Sequence, residues 1–347
     1  MPFTVAELEN IANAAIDFHM NKGKVASQTI QDKPLLALMQ GKEKSFPGGK
    51  ELLTTRVKGI YTTTAQGFRA DDTVNYGNPT NIKTASYPWM LIHAGISFTM
   101  EELMKDGISI TDTATGKGES QHSDREMTAL ANILEDKIED MDEGTDRSMN
   151  LMYWRDGSQD AKEIPGVTSF ILNDPTSATV VGGIDQSANT WWRNRASLAL
   201  TASTASDLNV TNKLQTEIRQ LRRYGGKPSK GLCGSSFLEW MEKELRSKGN
   251  FTLEGWANKK SMDMSTADIT FKGIQLEYDP TLDDLSKEKY CYLLDPNHIF
   301  PKYVEGEKWK KHNPARPESK YVFYRAQTYA GGLVCDRRNC HGVYSIA

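Results

Sequence analysis

The sequence predicts an α+β fold, and three observations carry that prediction. Two segments with period-2 alternation flank a polar stretch between Leu53 and Thr99. A helical periodicity then runs for about thirty residues after Ser123, and short helix and strand signals mix beyond Ile164.

The chain has 347 residues, enough at roughly 100–200 residues per domain for two or three globular units with a substantial core. Lys and Arg number 42 against 45 Asp and Glu, a net charge of -3. That balance supplies no long-range pull toward phosphate backbones and argues against a dedicated nucleic-acid reader. Cys233, Cys291, Cys335 and Cys340 are too few for a disulfide framework in a chain this size and are expected as reduced, cytosolic thiols. The first twenty residues carry Glu7, Glu9 and Asp17 but no Lys or Arg, unlike a signal peptide, and no apolar run approaches the ~18 residues of a membrane span. A soluble protein without a membrane partner is expected.

Thr4 and Glu7 form a capping box before Leu8, Ile11, Ala12 and Ala15, which predicts a short amphipathic helix packed on its own domain or on a neighbour. After Phe46-Pro47-Gly48-Gly49, Leu53, Val57 and Tyr61 alternate with Thr54, Arg56 and Lys58, as in a half-exposed strand. From Ala65 to Ile82 the chain is polar and rich in turn residues. Ile92, Ala94, Ile96 and Phe98 then alternate with His93, Gly95, Ser97 and Thr99, which predicts the partner strand. The resulting two-stranded arm from Glu51 to Thr99 would be marginal alone and needs a surface to lie on, its own domain or another subunit.

Ser123 and Glu126 form a second capping box. Met127, Leu130, Leu134, Ile138, Met141, Met149 and Met152 follow at helical spacing to Trp154, with an acidic face of Glu135, Asp136, Glu139, Asp140, Asp142, Glu143 and Asp146 that reads as solvated. Gly144 allows a bend or a close contact. Beyond Pro165-Gly166 and the turn at Asn173-Asp174-Pro175, a helix through Val210, Leu214, Ile218 and Leu221 closes at Gly225-Gly226. A second helix, capped by Ser236 with Glu239, ends at Gly249. Thr270 to Tyr278 and Tyr290 to Leu294 are expected strands around an acidic turn at Asp279–Asp284, and a final strand pair is expected near Leu333 and Val343.

No residue pattern carries convincing chemistry. Gly226-Lys227-Pro228 lacks the Ser or Thr of a phosphate-binding loop. Gly231-Leu232-Cys233-Gly234-Ser235 lacks the spacing of a nucleophile elbow and reads as a tight turn. Cys340 and His341 are adjacent on an expected strand and so would point to opposite faces; Cys335 and Cys340 supply only two soft ligands where a structural zinc site needs four. His19, His93, His122, His298 and His312 are scattered singly. Neither a catalytic residue, a metal nor a cofactor is expected. Trp191-Trp192-Arg193-Asn194 is either an interface anchor or one core Trp beside one under a loop. The basic, aromatic run from Tyr303 to Tyr324, interrupted by Glu305, Glu307 and Glu318, reads as a solvated strand surface.

In order and spacing, several stretches resemble a tailed-phage major capsid protein, whose fold is shared with encapsulins and the herpesvirus capsid floor domain. They are Ile164-Pro165-Gly166-Val167, Gly183-Ile184-Asp185, Asn189-Thr190-Trp191-Trp192-Arg193-Asn194, Phe271-Lys272-Gly273-Ile274, Tyr278-Asp279-Pro280-Thr281-Leu282-Asp283 and Ala330-Gly331-Gly332-Leu333-Val334-Cys335. The resemblance spans nearly the whole chain. It implies an N-terminal arm (1–46), an extended β-hairpin loop (47–100), a peripheral domain (101–163 and 301–331) with a spine helix (123–154), and an axial domain (164–300 and 332–347).

What the resemblance implies in function is self-assembly through hexamers and pentamers into an icosahedral virion capsid around double-stranded DNA held by non-specific contact, assembled in the host cytoplasm with a portal. Because about 46 residues precede the arm, a separate scaffolding protein is expected. Inter-subunit contacts are expected from Arg56, Lys58, Tyr61, Phe68, Arg69, Tyr76, Trp191, Trp192 and Arg193. Lys58 and Lys83 are candidates for a crosslink to an Asn of a neighbour. The alternatives are an encapsulin-like shell around cargo, a hydrolase using Cys233 or Cys340, and a nucleic-acid-binding module after Tyr303.

Overall fold

The computed structural model describes residues 3–4, 31–61, 63–74, 76, 81–105, 110–111, 124–201, 209–247, 269–312 and 322–347. The chain divides into two units. Met1–Gln31, Leu91–Met149 and Gly306–Ala330 form the first; Asp32–Met90, Asn150–Glu305 and Gly331–Ala347 form the second.

Strand β1 (Phe3–Thr4) is followed by helix α1 (Pro34–Gln40), which opens on a proline suited to a first helical turn and buries Leu35, Leu36 and Met39. Strands β2 (Lys44–Phe46), β3 (Leu52–Lys58), β4 (Ile82–Pro88) and β5 (Met90–Thr99) come next, then α2 (Met100–Lys105), β6 (Ile110–Thr111) and the 31-residue α3 (Asp124–Trp154). At 1.5 Å per residue α3 is about 46 Å long, the expected spine. The short α4 (Val167–Phe170), β7 (Val180–Val181) and β8 (Ile184–Asp185) lead through a 3-10 turn at Thr190–Trp192 to β9 (Arg195–Leu200). Then follow α5 (Asn209–Arg223), β10 (Lys230–Cys233), α6 (Ser235–Ser247), β11 (Ile269–Phe271), β12 (Ile274–Tyr278), α7 (Pro280–Asp284) and β13 (Tyr290–Leu294). The chain ends with β14 (Ile299–Val304), β15 (Lys310–His312), β16 (Val322–Cys335), a 3-10 turn at Arg338–Cys340, and β17 (Gly342–Ile346).

In the second unit a mixed six-stranded sheet runs β11-β12-β10-β13-β17-β9. The buried apolar stripe of α5 (Val210, Leu214, Ile218, Leu221) joins Phe237 and Met241 of α6 and the sheet residues Cys233, Ile274, Leu276, Cys291, Leu293, Tyr344 and Ile346 in one core. Each such side chain contributes about 1.5–3 kcal/mol by leaving water. Also in this unit, Gly331–Cys335 of β16 pairs antiparallel with β14, and β14 pairs with β2. The end of α3 is fixed by polar contacts: Trp154 Nε1 donates to Asp279 Oδ2 (2.7 Å), and Asn150 joins Thr281 Oγ1 (2.7 Å) to the Leu36 amide (2.9 Å). Burial pushes the Asp279 carboxyl above its usual range. In the first unit the earlier part of β16 pairs with β15 and with β5, and Lys137 of α3 bonds both Glu102 Oε2 (2.8 Å) and Ser97 O (3.2 Å).

Several sequence expectations change here. Thr4 lies in β1, paired in parallel with β6; Glu7 and the helix expected at Leu8 to Ala15 lie outside the described residues, as does the Ser123 cap. The partner of β3 is β4, in register from Leu52↔Pro88 to Lys58↔Ile82, and β5 belongs instead with β16. The alternation expected in β5 is real, but it is Tyr87, opposite Leu53, and Ala85, opposite Thr55, both hidden at the end of a polar run, that share the buried face of the hairpin with Leu53 and Val57. Thr270 to Tyr278 is a hairpin turned at Lys272 (φ 54°) and Gly273 (φ 79°). The acidic turn is α7, capped by Asp279 accepting from Thr281 N. Helix α6 starts at Ser235, whose N–H is taken by Asp283 Oδ1 (3.0 Å), so Ser236 is not its cap. The last two strands do not pair: β17 sits between β13 and β9.

Candidate assembly surface

The base of the β3–β4 hairpin is tied to its own chain. Leu53, Val57, Ala85 and Tyr87 are buried, whereas Thr54, Arg56 and Lys58 are exposed. Tyr87 donates its hydroxyl to Cys335 O (2.6 Å) and sets its ring edge-on to Phe170 at 5.1 Å; burial pushes the phenol well above its usual range. The Ser86 N–H donates to Gly182 O (3.0 Å), and Lys83 Nζ donates to Asn189 Oδ1 (2.9 Å). Gly59 lies flat beneath Trp191, where an added Cβ would fall 2.6 Å from the indole.

Past this base the ladder closes where Gly59 N donates to Asn81 O (3.0 Å) and the Asn81 amide donates to Ile60 O. The described residues beyond it are exposed. Tyr61 is 78 % exposed, Phe68 66 % and Tyr76 94 %, with Ile60, Val74 and Ile82 also open. Arg69 and Asp72 close a turn through Arg69 N to Asp72 Oδ2 (2.8 Å), and Lys58 Nζ lies 4.3 Å from the Tyr61 ring centroid. Large aromatics exposed on one element that also carries exposed Arg and Lys have the composition of a protein interface. Arg56, Lys58, Tyr61, Phe68, Arg69 and Tyr76 are thus all exposed on this one element.

The double-tryptophan segment is different. Trp192 is buried within its own chain and donates Nε1 to Val181 O (3.0 Å), as a core residue does. Trp191 covers Gly59, and Arg193 is spent holding its own loop through Gln186 O (2.8 Å) and Ser187 O (2.9 Å). This is the arrangement of one core Trp beside one packed under a loop. At its centre lies Arg338, which the sequence reading missed. Its buried guanidinium donates to Phe170 O (2.7 Å), Trp192 O (3.1 Å), Gln186 Oε1 (3.1 Å) and Asn194 Oδ1 (3.1 Å). Burial pushes its pKa down to about 10, which leaves it charged at neutral pH. Nothing in Asp336-Arg337-Arg338-Asn339 distinguishes the inward Arg from the outward one.

The thiols are poor nucleophiles. Cys233 is fully buried, with its thiol pushed well above the usual value, and Cys340 is pushed up to about 11, again by burial. Cys340 and His341 do not pair, though Cys340 ends a 3-10 turn and not a strand: its Sγ contacts Asn339 Oδ1 (3.4 Å), while His341 Nδ1 accepts the Asp295 N–H (3.2 Å). The Lys227 N–H binds Asp295 Oδ2 (2.8 Å), a structural contact in place of a phosphate cradle. In the basic run, Lys310 is paired with Glu307 and His312 Nε2 meets Thr328 Oγ1 (2.7 Å); Arg316 is outside the described residues.

The sequence matches no protein-family model and no curated protein. The fold, however, matches solved capsids. The chain is similar to the cyanophage A-1(L) capsid asymmetric unit with a TM-score of 0.64 at 15 % identity, over 93 % of this chain and 94 % of that one. It is similar to the capsid of a native GTA particle (TM-score 0.54, 12 % identity, 94 % and 96 % covered) and to the capsid of Myoviridae phage XM1 (0.52, 11 %, 93 % and 95 %). The chain therefore has the α+β fold of phage capsid subunits over more than nine-tenths of its length.

Proposed function

We propose that this protein is a major capsid protein, a structural subunit that assembles through hexamers and pentamers into an icosahedral shell around double-stranded DNA in the virion. The observation that carries the reading is the hairpin: a base locked to its own subunit and a tip, residues 60–81, that exposes Tyr61, Phe68, Arg69 and Tyr76. Such a tip gains about 1.5–3 kcal/mol per large apolar side chain when a neighbour covers it, and the gain recurs at every contact of a shell. In this reading residues 101–163 and 301–331 form the peripheral domain, 164–300 and 332–347 the axial domain, and Arg56 and Lys58 border the contact. A scaffolding protein, a portal and assembly in the host cytoplasm belong to the same proposal.

An encapsulin-like shell is the second reading, since one fold can enclose either cargo. Sedimenting particles from producing cells, treated with nuclease and then extracted, decide between them. Protected double-stranded DNA is expected; particles holding protein cargo and no DNA would favour the second reading.

A further inference from the structure

Away from the hairpin, Asp295, His298 and Cys340 bring a carboxylate oxygen, an imidazole nitrogen and a thiol sulfur within 4.8 Å of one another. Asp295 and His298 lie in the turn between β13 and β14, and Cys340 closes the 3-10 turn before β17, so the fold joins segments more than forty residues apart. The turn is already shaped. Asp295 Oδ1 accepts from Asn297 N and Nδ2 (both 3.1 Å) and Oδ2 from Lys227 N (2.8 Å), which orients the carboxylate. His298 Nδ1 lies 2.8 Å from Asp336 Oδ1, the carboxylate–imidazole pairing that fixes ring orientation in metal sites. A second imidazole lies against the group: His341, fully buried, receives the Asp295 N–H on Nδ1, and its Nε2 has no hydrogen-bond partner among the described residues.

We propose that Asp295, His298 and Cys340 form a binding site for a divalent transition-metal ion of the zinc type, one carboxylate oxygen, one ring nitrogen and one thiolate sulfur leaving a fourth position for water. Sulfur and imidazole disfavour Mg²⁺ and Ca²⁺, which take oxygen ligands. On binding, the Cys340 S–H bond breaks, its proton leaves to solvent and the sulfur lone pair goes to the ion; nothing is oxidised or reduced. Cys340 is enclosed and out of a substrate's reach, but the His298 side chain is 24 % exposed, which gives a bare ion a way in. The ion would pin the 295–298 turn to the segment that carries Arg338, and so would tighten the second unit without taking part in a reaction.

The test is Co²⁺ titration of the full-length, chelator-treated protein, read by thiolate-to-cobalt absorption in the near ultraviolet and the visible bands of tetrahedral cobalt. Saturation at one ion per subunit is expected, with displacement by Zn²⁺. Cys340→Ser should abolish the near-ultraviolet band. His298→Gln, at a partly exposed position, should weaken binding about 10–100-fold, while Cys291→Ser should change neither. No saturable binding by the unaltered protein, or an unchanged spectrum and affinity in both ligand variants, would overturn the proposal. Folding of each variant is checked by circular dichroism, and should Cys340→Ser fail to fold, the affinity of His298→Gln alone decides.

Discussion

Arg338 carries a full charge inside the second unit and donates, among the described residues, to four neutral acceptors on Phe170, Gln186, Trp192 and Asn194. Its stabilising effect lies in those hydrogen bonds, because a hydrophobic replacement would take the guanidinium donor from the buried Phe170, Trp192 and Gln186 oxygens, while Asn194 Oδ1 would keep the Leu172 N–H (3.2 Å). Arg338→Met is expected to cost about 3–5 kcal/mol in urea unfolding of dissociated subunits, and Arg338→Lys should not restore it, since an ammonium cannot reproduce the planar fork. Full stability in the Lys variant would contradict this. The same residue marks a limit of the sequence. Patterning finds apolar stripes such as Val210, Leu214, Ile218 and Leu221, but a buried cation has no periodic signature. The Asp295, His298 and Cys340 group was equally hidden, because its members come together only through the pairing of β13 with β17. Lys83 is engaged by Asn189 of its own subunit. No crosslink through Lys83 is accordingly expected in denatured mature particles; a ladder of multiples that Lys83→Arg abolishes would contradict this.

The hairpin shows what strand patterning can and cannot tell. The face of β3 was legible from Leu53 and Val57, and so was the alternation of β5. Their pairing was not: β4 begins within a run of Asn, Lys, Thr and Ser whose polarity hides Ala85 and Tyr87, and a stronger alternation nearby drew the expected partner to β5. The long helix needed no such choice, since its period persists over many turns. With the base fixed by Tyr87, Ser86 and Trp191, the tip is separable from the fold. Deleting Gln66–Thr80, which keeps the Asn81 contacts to Gly59 and Ile60, should change subunit stability by less than about 0.5 kcal/mol and yet prevent closed shells. Normal particles from this deletion would remove the tip from the assembly mechanism.

At the scale of the whole molecule, the fold is matched to solved capsids over more than nine-tenths of the chain at 15 % identity or less, so very different residues build the same shape. What such a subunit needs from its sequence is loose: a core, a spine, and surfaces that recover their exposure cost when neighbours close over them. The central claim, self-assembly, is tested most directly by negative-stain electron microscopy of the purified protein across concentration and salt. Closed shells, tubes or ring-shaped capsomers are the predicted result. A monomer that persists at high concentration whatever the salt would contradict it.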